Sequence, residues 1–528
     1  MSIDKNKHQN IINSLKVGSS IAEKDDFLET ARVETPIFNG VLDDQYDIVL
    51  GKKGAGKTAI FRIIDKYLSD VLLTKRNIVV LSGVNASGDP VFKDFIDQFS
   101  KFSEQDFENF WKLYFVALIY YDFIKEEKFQ AKLFSCTQEI KKFKQECYAA
   151  GIPEIPKQQD KKQLINWILG AGIKKIGIKI DSNPDRLFTI TPEIEFREPK
   201  VEDLESKKSL YIDKIGKALE ELLIKSGFKI WIILDRLDEV FDRYTSVEFK
   251  GLRGLLMAYK SFDIGKNGEL IRIKIFLRDD IINFLTDAQF YKTIFPRKEM
   301  PPLVAATHIL SRQSPTLSWT EDEIEQLILN RLILSSADLR SYLSVPDKFE
   351  KENDFEFSMR IKESMRDKEV RKNYWNKIFP KRMQTQNSLK WLFSHLKDSN
   401  DIVTPRSAID MVEGAIDYQK KRLRTNFGDA AIIFSPESLK DGLEKASKNK
   451  LIKDIYNEFP MEQKNIKALE KFGKHKLNPS QLKKLYGENW ENVALNLGRI
   501  GILKFIKNSQ DYRIVFLFRP ALSITYVY

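Results

Sequence analysis

Cysteine is almost missing from this 528-residue chain, which has only Cys136 and Cys147. Two thiols cannot build a disulfide scaffold, and on one helix they would stand about 16 Å apart, too far to bridge. A reducing compartment is therefore expected. Histidine is nearly as scarce: His8, His308, His395 and His475 are scattered, with no cysteine nearby in sequence, so no His/Cys metal motif is present. Long apolar runs are missing too. Tyr114–Tyr121 and Ile230–Leu234 fall far short of the roughly 20 residues a membrane span needs. The chain opens on a polar stretch without the apolar core of a signal peptide. With 42% hydrophobic and 12% aromatic residues, 18 Pro and 24 Gly, the composition is neither low-complexity nor disordered. A soluble, cytoplasmic protein with no membrane contact is expected, divided into three or four domains at roughly 100–200 residues each.

The net charge of +11 is modest but unevenly spread, since residues 450–528 hold 14 Lys/Arg against 7 Asp/Glu. Such an asymmetry fits an anionic partner; a solvated basic surface explains it about as well.

The informative stretch begins at the apolar run Ile48–Leu50. It is followed by Gly51-Lys52-Lys53-Gly54-Ala55-Gly56-Lys57-Thr58, and then by Ala59, Ile60, Ile63, Ile64, Tyr67, Leu68 and Leu72 at helical spacing. Strand, glycine-rich loop and helix together match the P-loop pattern G-x-x-x-x-G-K-[ST]. Its glycines let backbone N–H groups wrap phosphates. Lys57 reaches the β- and γ-phosphates, and the Thr58 hydroxyl ligates Mg²⁺. ATP and Mg²⁺ are thus the expected cofactors, and the Lys57 side chain is expected to be exposed at the loop. Further buried strands are expected at Ile78–Leu81, Ile230–Leu234 and Ile271–Leu277, alternating with helical patterns in a parallel α/β sheet.

Asp235 stands where the third strand ends, within Asp235-Arg236-Leu237-Asp238-Glu239. That is the Walker B arrangement, with Asp235 on Mg²⁺ directly or through water. Glu239, with Asp238 as the alternative, would polarise the attacking water. Arg278 ends the fourth strand, as a γ-phosphate sensor or as a salt-bridge partner of Asp279 or Asp280. Thr404-Pro405-Arg406 opens a helix whose apolar positions are Ala408, Ile409, Met411, Val412, Ala415 and Ile416. An arginine in a helix's first turn opposes the dipole, a cost that a phosphate would offset, so Arg406 reads as a second sensor. Arg331, late in its helix, suits the dipole and reads as structural.

The expected organisation is an N-terminal segment over 1–46, flanking the nucleotide site, and a P-loop core over 47–310. The core carries a helical insertion at about 84–228, too long for a loop. A helical lid follows over 311–440, opened by the capping box Thr320–Glu323 and the staple Trp319/Ile324. A winged helix closes the chain over 441–528. Its signals are Asn478-Pro479 and Gly487 bounding one helix, a second helix burying Trp490, Val493, Ala494 and Leu497, and a hairpin of 502–506 with 512–518. Pro184-Asp185 with Glu198-Pro199-Lys200 only superficially resembles a nuclease pattern. The run Phe110–Phe115 reads as a core helix.

Five segments bear on the class: Val17–Glu23, Val33–Phe38, Gly51–Phe61, Ile233–Phe241 and Thr404–Val412; the Walker motifs mark only the superfamily, and the Gly-Ser-Ser-x-Ala-Glu start narrows it. Together they resemble the bacterial STAND/KAP-like P-loop ATPases, whose genes often lie among phage-defence systems. The resemblance runs from about residue 15 to the C-terminus. It implies an ATP-dependent switch with nucleotide on Gly51–Thr58 and hydrolysis served by Asp235 and Glu239. The Thr404–Asp410 helix followed by a winged helix also looks like origin-recognition-type AAA+ loaders, although Arg278 replaces the polar Ser, Thr or Asn of those proteins.

The leading expectation is an ATP-hydrolysing switch whose output passes through self-assembly into a homo-oligomer or through a partner protein. The alternative is a DNA-binding AAA+-like loader or regulator, touching backbone phosphates through Lys483, Lys484, Lys504, Lys507 and Arg513. Against it, the helix that would enter the groove exposes Glu488, Glu491, Asn492 and Asn496. A nucleotide-binding scaffold without turnover is the third.

Overall fold

The computed structural model describes residues 5–83, 99–124, 129, 133–149, 165, 179–181, 189–191, 210–239, 244–263, 269–303, 306–425 and 432–524. The chain groups into two compact units, one of residues 36–52 and 57–317, the other of residues 1–35, 53–56 and 318–528.

The first unit is built on five strands: β1 (Ile48–Leu50), β2 (Ile78–Ser82), β3 (Lys229–Leu234), β4 (Ile271–Leu277) and β5 (Gln313–Thr316). They pair in parallel in the order β2-β3-β4-β1-β5. Ile48, Val49 and Leu50 are buried, as are Ile230 to Leu234, because both faces of such a sheet are covered. The strand carrying the loop and the strand carrying Asp235 are separated by β4. The register pairs Leu50 with Leu277 and Leu234 with Ile275, so Gly51, Asp235 and Arg278 all emerge at the carboxyl ends of neighbouring strands. At the opposite end of β1, buried Asp47 accepts from Lys274 Nζ at 3.1 Å and also pairs with Arg312, tying β1 to β4 and β5.

β5 was not foreseen in the sequence. Gln-Ser-Pro-Thr is polar and contains Pro315, which restricts it to a sheet edge. It is held there by Ser314 Oγ, which accepts from Leu50 N at 3.0 Å, and by Leu317 N, which donates to Leu50 O at 2.7 Å. The helix after the loop, α1 (Lys57–Arg62), passes into a π-helical turn at Ile63–Leu68 before helix resumes at Ser69–Arg76. The periodicity predicts no such widening. In the insertion, α2 (Glu104–Leu118) is capped by a Ser103/Asp106 box and buries every residue from Phe107 to Leu118, as the core reading of Phe110–Phe115 requires. It packs on α3 (Ser246–Asp263), where a Cβ on Gly254 would lie 2.5 Å from Phe107 Cβ, and Trp111 Nε1 donates to Gly251 O at 3.0 Å. A further helix, α4 (Asp279–Thr286), follows β4 directly. The segments Pro184-Asp185 and Glu198–Lys200, and the break at 151–156, lie outside the described residues.

The second unit opens its C-terminal part with α5 (Glu321–Ser335), where the Thr320/Glu323 capping box is formed. The helices α6 (Pro405–Thr425) and α7 (Pro436–Asn449) cross closely at two glycines. A Cβ on Gly442 would lie 2.2 Å from Met411 O, and one on Gly414 would lie 2.8 Å from Gly442 Cα. A short strand β6 (Lys476–Leu477) precedes α8 (Pro479–Tyr486) and α9 (Trp490–Arg499), and β7 (Leu503–Ile506) and β8 (Asp511–Ile514) form a hairpin. The sheet order is β6-β8-β7. Two details differ from expectation. The second run ends as strand at Ile514, because Phe516–Phe518 forms a 3₁₀ turn and Arg519 Nε donates to Ile514 O. Trp490 is half-buried, whereas Val493, Ala494 and Leu497 are buried.

Residues before 36 belong to this unit. The N-terminal helix Lys5–Ser14 contributes Ile11 and Ile12 to the core that contains Ile324, Val412 and Leu443. Arg331 clasps Asp25 with Nη1–Oδ1 at 3.1 Å and Nη2–Oδ2 at 2.6 Å, and donates to Val17 O at 2.8 Å. Gly18 turns here at φ +79°, where a Cβ would meet Asp25 and Arg331 within 2.7 Å.

His395 gives this unit an acid-sensitive joint. Its ring stacks between Trp391, at 4.2 Å, and Phe516, at 4.3 Å, and Nδ1 lies 2.8 Å from Trp391 O. Burial, helped by nearby Arg519 and opposed by the Trp391 carbonyl, holds the imidazole pKa down to about 4. The folded protein keeps it neutral while the unfolded chain protonates near 6.5. Stability is therefore lost as pH falls from about 6.5 to about 4, by on the order of 3 kcal/mol. Replacing His395 with Phe is expected to reduce the fall in Tm between pH 7 and pH 4.5; an unchanged fall would contradict this. Among the described residues, no helix is long and apolar enough to cross a membrane.

Candidate nucleotide site

The first unit supplies the two ends of the loop. Gly51 N donates to Leu277 O at 3.2 Å, continuing the β1–β4 ladder by one residue. Contrary to the expectation of an exposed lysine, Lys57 is buried. Its ammonium donates to Gly51 O at 2.7 Å and Lys52 O at 3.2 Å. A lysine head carries three donors, and the turn brings loop carbonyls within its reach, so the side chain folds inward. Thr58 follows on α1 and is partly buried. Gly54 and Gly56 adopt φ of +79° and +108°, conformations that side chains other than glycine rarely take.

Asp235, at the exit of β3, is buried. Arg236 after it sits at φ 58°, a left-handed conformation that costs a non-glycine residue roughly 1–2 kcal/mol and reverses the chain into the 3₁₀ turn Leu237–Glu239. Glu239 is half exposed, its Oε2 3.7 Å from Arg236 Nη1. The side chain of Asp238 lies outside the described residues. Arg278 is held by Asp280 through Nε–Oδ1 at 2.9 Å and Nη2–Oδ2 at 3.1 Å, which is the salt bridge its alternative reading named.

A residue the sequence reading did not single out is Asp279. Burial and neighbouring Asp280 push its carboxyl above the usual range, against the pull of Lys52, Lys57 and Arg278. Its signal was a second acid directly after a strand end, weighed only as a partner for Arg278.

The second unit contains the middle of the loop, Lys53–Gly56, where the carbonyls of Lys53, Gly54 and Ala55 each meet a donor of the same unit. Lys450 Nζ donates to Lys53 O at 3.2 Å, and Trp319 Nε1 to Ala55 O at 2.8 Å. The backbone N–H of Arg406 points to Gly54 O at 3.5 Å. The Arg406 side chain crosses Gly54, where a Cβ would lie 2.9 Å from Arg406 Cβ and 3.3 Å from its Nε. Asp454 takes Arg406 Nη1 on Oδ1 at 2.8 Å and Lys450 Nζ on Oδ2 at 3.0 Å, with Lys53 Nζ 4.0 Å away. Glu458 pairs with Lys53 at 2.9 Å. Burial alone would raise the Asp454 carboxyl, but Lys450, Arg406 and Lys53 outweigh it and hold the pKa below the usual range.

The residues fit the groups the motif implies. The Thr58 hydroxyl and the Asp235 carboxylate are hard oxygen donors of the kind Mg²⁺ takes, its other positions being left to phosphate and water. Among the described residues, no cluster of three or more His, Cys, Asp or Glu could hold a metal ion unaided.

No protein-family model and no curated protein matches the chain. Among solved structures it is similar to the ORC2 protein of Aeropyrum pernix, determined in ADPNP–ADP complexes, at 12% identity and a TM-score of 0.37 over 92% of this chain and 90% of that one.

Proposed function

We propose that the chain is an ATP-binding, ATP-hydrolysing switch, a Mg²⁺-dependent P-loop ATPase of AAA+/STAND-like type. The observation that carries this reading is one arrangement at the carboxyl ends of β1 and β3: a complete phosphate loop with Lys57 gathered onto its carbonyls, and buried Asp235. In this reading the loop N–H groups and Lys57 hold the β- and γ-phosphates. Thr58 and Asp235 hold Mg²⁺, which neutralises charge as it develops on the phosphoryl oxygens. Glu239 takes the proton of the attacking water. Arg406 is the sensor, and Arg278 serves through its pair with Asp280. Residues 311–440 act as lid and 441–528 as winged helix, both moved by nucleotide state. The STAND/KAP affiliation and a role in phage defence rest on the sequence resemblance. ATP turnover by the purified chain, with and without Mg²⁺, is the test.

The DNA-binding alternative gains nothing from the basic face. Lys504 pairs with Asp401 at 2.5 Å and Lys483 with Glu488 at 3.1 Å, so two of its five cations already have carboxylate partners, in exposed and therefore weak pairs. Deleting residues 478–528 would be a poor test, because Leu482, Leu497 and Phe518 belong to the same core as Val412. Point substitutions serve instead. DNA affinity is expected to fall with log[salt] at a slope no steeper than about −3, where each neutralised phosphate contributes about −0.9. A slope near −5 that flattens by about 2 in Lys504→Ala/Lys507→Ala, with ATP turnover unaffected, would favour the loader.

A further inference from the structure

The argument for Arg406 as sensor supposed that a phosphate offsets the cost of a cation in the first turn of α6. In the structure the offsetting anion is a side chain. Asp454 is 1% exposed and sits in the π-helical turn Lys450–Tyr456 that ends α7. Each of its oxygens has a cation: Oδ1 takes Arg406 Nη1 and Oδ2 takes Lys450 Nζ. The guanidinium is thus gripped at one nitrogen, while its Nε, also buried, has no hydrogen-bond partner and lies on the side of Gly54. The turn itself is fixed. The Gly414/Gly442 crossing sets α7 against α6, and Asp410, one helical turn beyond Arg406, takes hydrogen bonds from Ser20 and from Asn449, the residue before Lys450.

We propose that Asp454 is a positioning residue of the ATPase: it holds Arg406 by Nη1, with Lys450 as a second strut on the Lys53 carbonyl, so that the open Nε edge is presented to the phosphate loop at Gly54. Asp280 engages the forked Nε/Nη2 edge of Arg278. Asp454 leaves that edge of Arg406 to the loop. The inference rests on the ATPase reading and deepens it.

The experiment measures kcat and ATP affinity in full-length wild type, Arg406→Ala, Asp454→Asn and the double variant. Misplacing a catalytic cation by about 1 Å costs up to roughly 10²-fold. Asp454→Asn is expected to lower kcat by about tenfold or more while ATP affinity stays within about threefold, and the double variant should be no slower than Arg406→Ala alone. Wild-type kcat in Asp454→Asn, or losses that multiply in the double variant, would overturn the inference while leaving the ATPase reading standing. A wild-type chain that binds no ATP would overturn both. Should Asp454→Asn not fold, Asp454→Glu decides. It keeps the charge and moves it by one methylene, so positioning predicts a kcat loss that disappears in the Arg406→Ala background, and undiminished kcat overturns the proposal.

Discussion

Lys57→Ala is expected to lower ATP affinity by at least about 10²-fold in a chain that still folds. Each charge-assisted hydrogen bond from the ammonium to a phosphate oxygen is worth roughly 1.5–3 kcal/mol, and the reading gives Lys57 two phosphates to bind. Two such bonds lost exceed the roughly 2.8 kcal/mol that a 10²-fold change requires. The inward position of Lys57 adds a consequence that an exposed lysine would not have. Its removal leaves the carbonyls of Gly51 and Lys52 without their 2.7 and 3.2 Å donor, so a small drop in Tm accompanies the lost binding. Calorimetric titration with ATP beside a circular-dichroism melt reads both. Undiminished affinity in a folded variant would sink the assignment of the loop.

Glu239→Gln should bind ATP with Mg²⁺ as the wild type does and turn it over on the order of 10²–10⁴-fold more slowly. The amide keeps the shape of the acid and cannot accept the water's proton. Asp238→Asn is the internal control. If it proves the slower variant, the wrong acid was chosen.

What could be read from the chain follows from how local each signal is. The strand, loop and helix around Gly51–Thr58 were legible because the P-loop pattern fixes residue types at fixed spacing, and β1, β2, β3 and β4 because buried parallel strands are mainly apolar, with Arg272 and Lys274 of β4 as exceptions. β5 was not legible: its place is set by the two bonds to Leu50, and nothing in Gln-Ser-Pro-Thr announces a strand. The two helix starts capped by Thr320 and Asn478 were legible from short local signals, the four-residue box Thr320–Glu323 and Asn478 before Pro479. The burial of Lys57 was misjudged because the loop was treated as a row of donors, while its carbonyls, equally fixed by the turn, receive the lysine. Two pairings were out of reach for a different reason. Asp25 meets Arg331 across 306 positions, and Asp454 meets Arg406 across 48. No pattern within a helix or a loop encodes such partners; the packing of the folded unit chooses them. Arg278 shows the limit of a motif position, since the adjacent acids that made its role ambiguous include the one that holds it.

The account is tested most directly by following phosphate release from ATP by the wild-type chain, with and without Mg²⁺, alongside ATP binding by the same preparation. It predicts Mg²⁺-dependent release that Lys57→Ala abolishes together with binding and that Glu239→Gln abolishes without it. ATP bound tightly by a wild-type chain that releases no phosphate would contradict the account and leave a nucleotide-binding scaffold in its place.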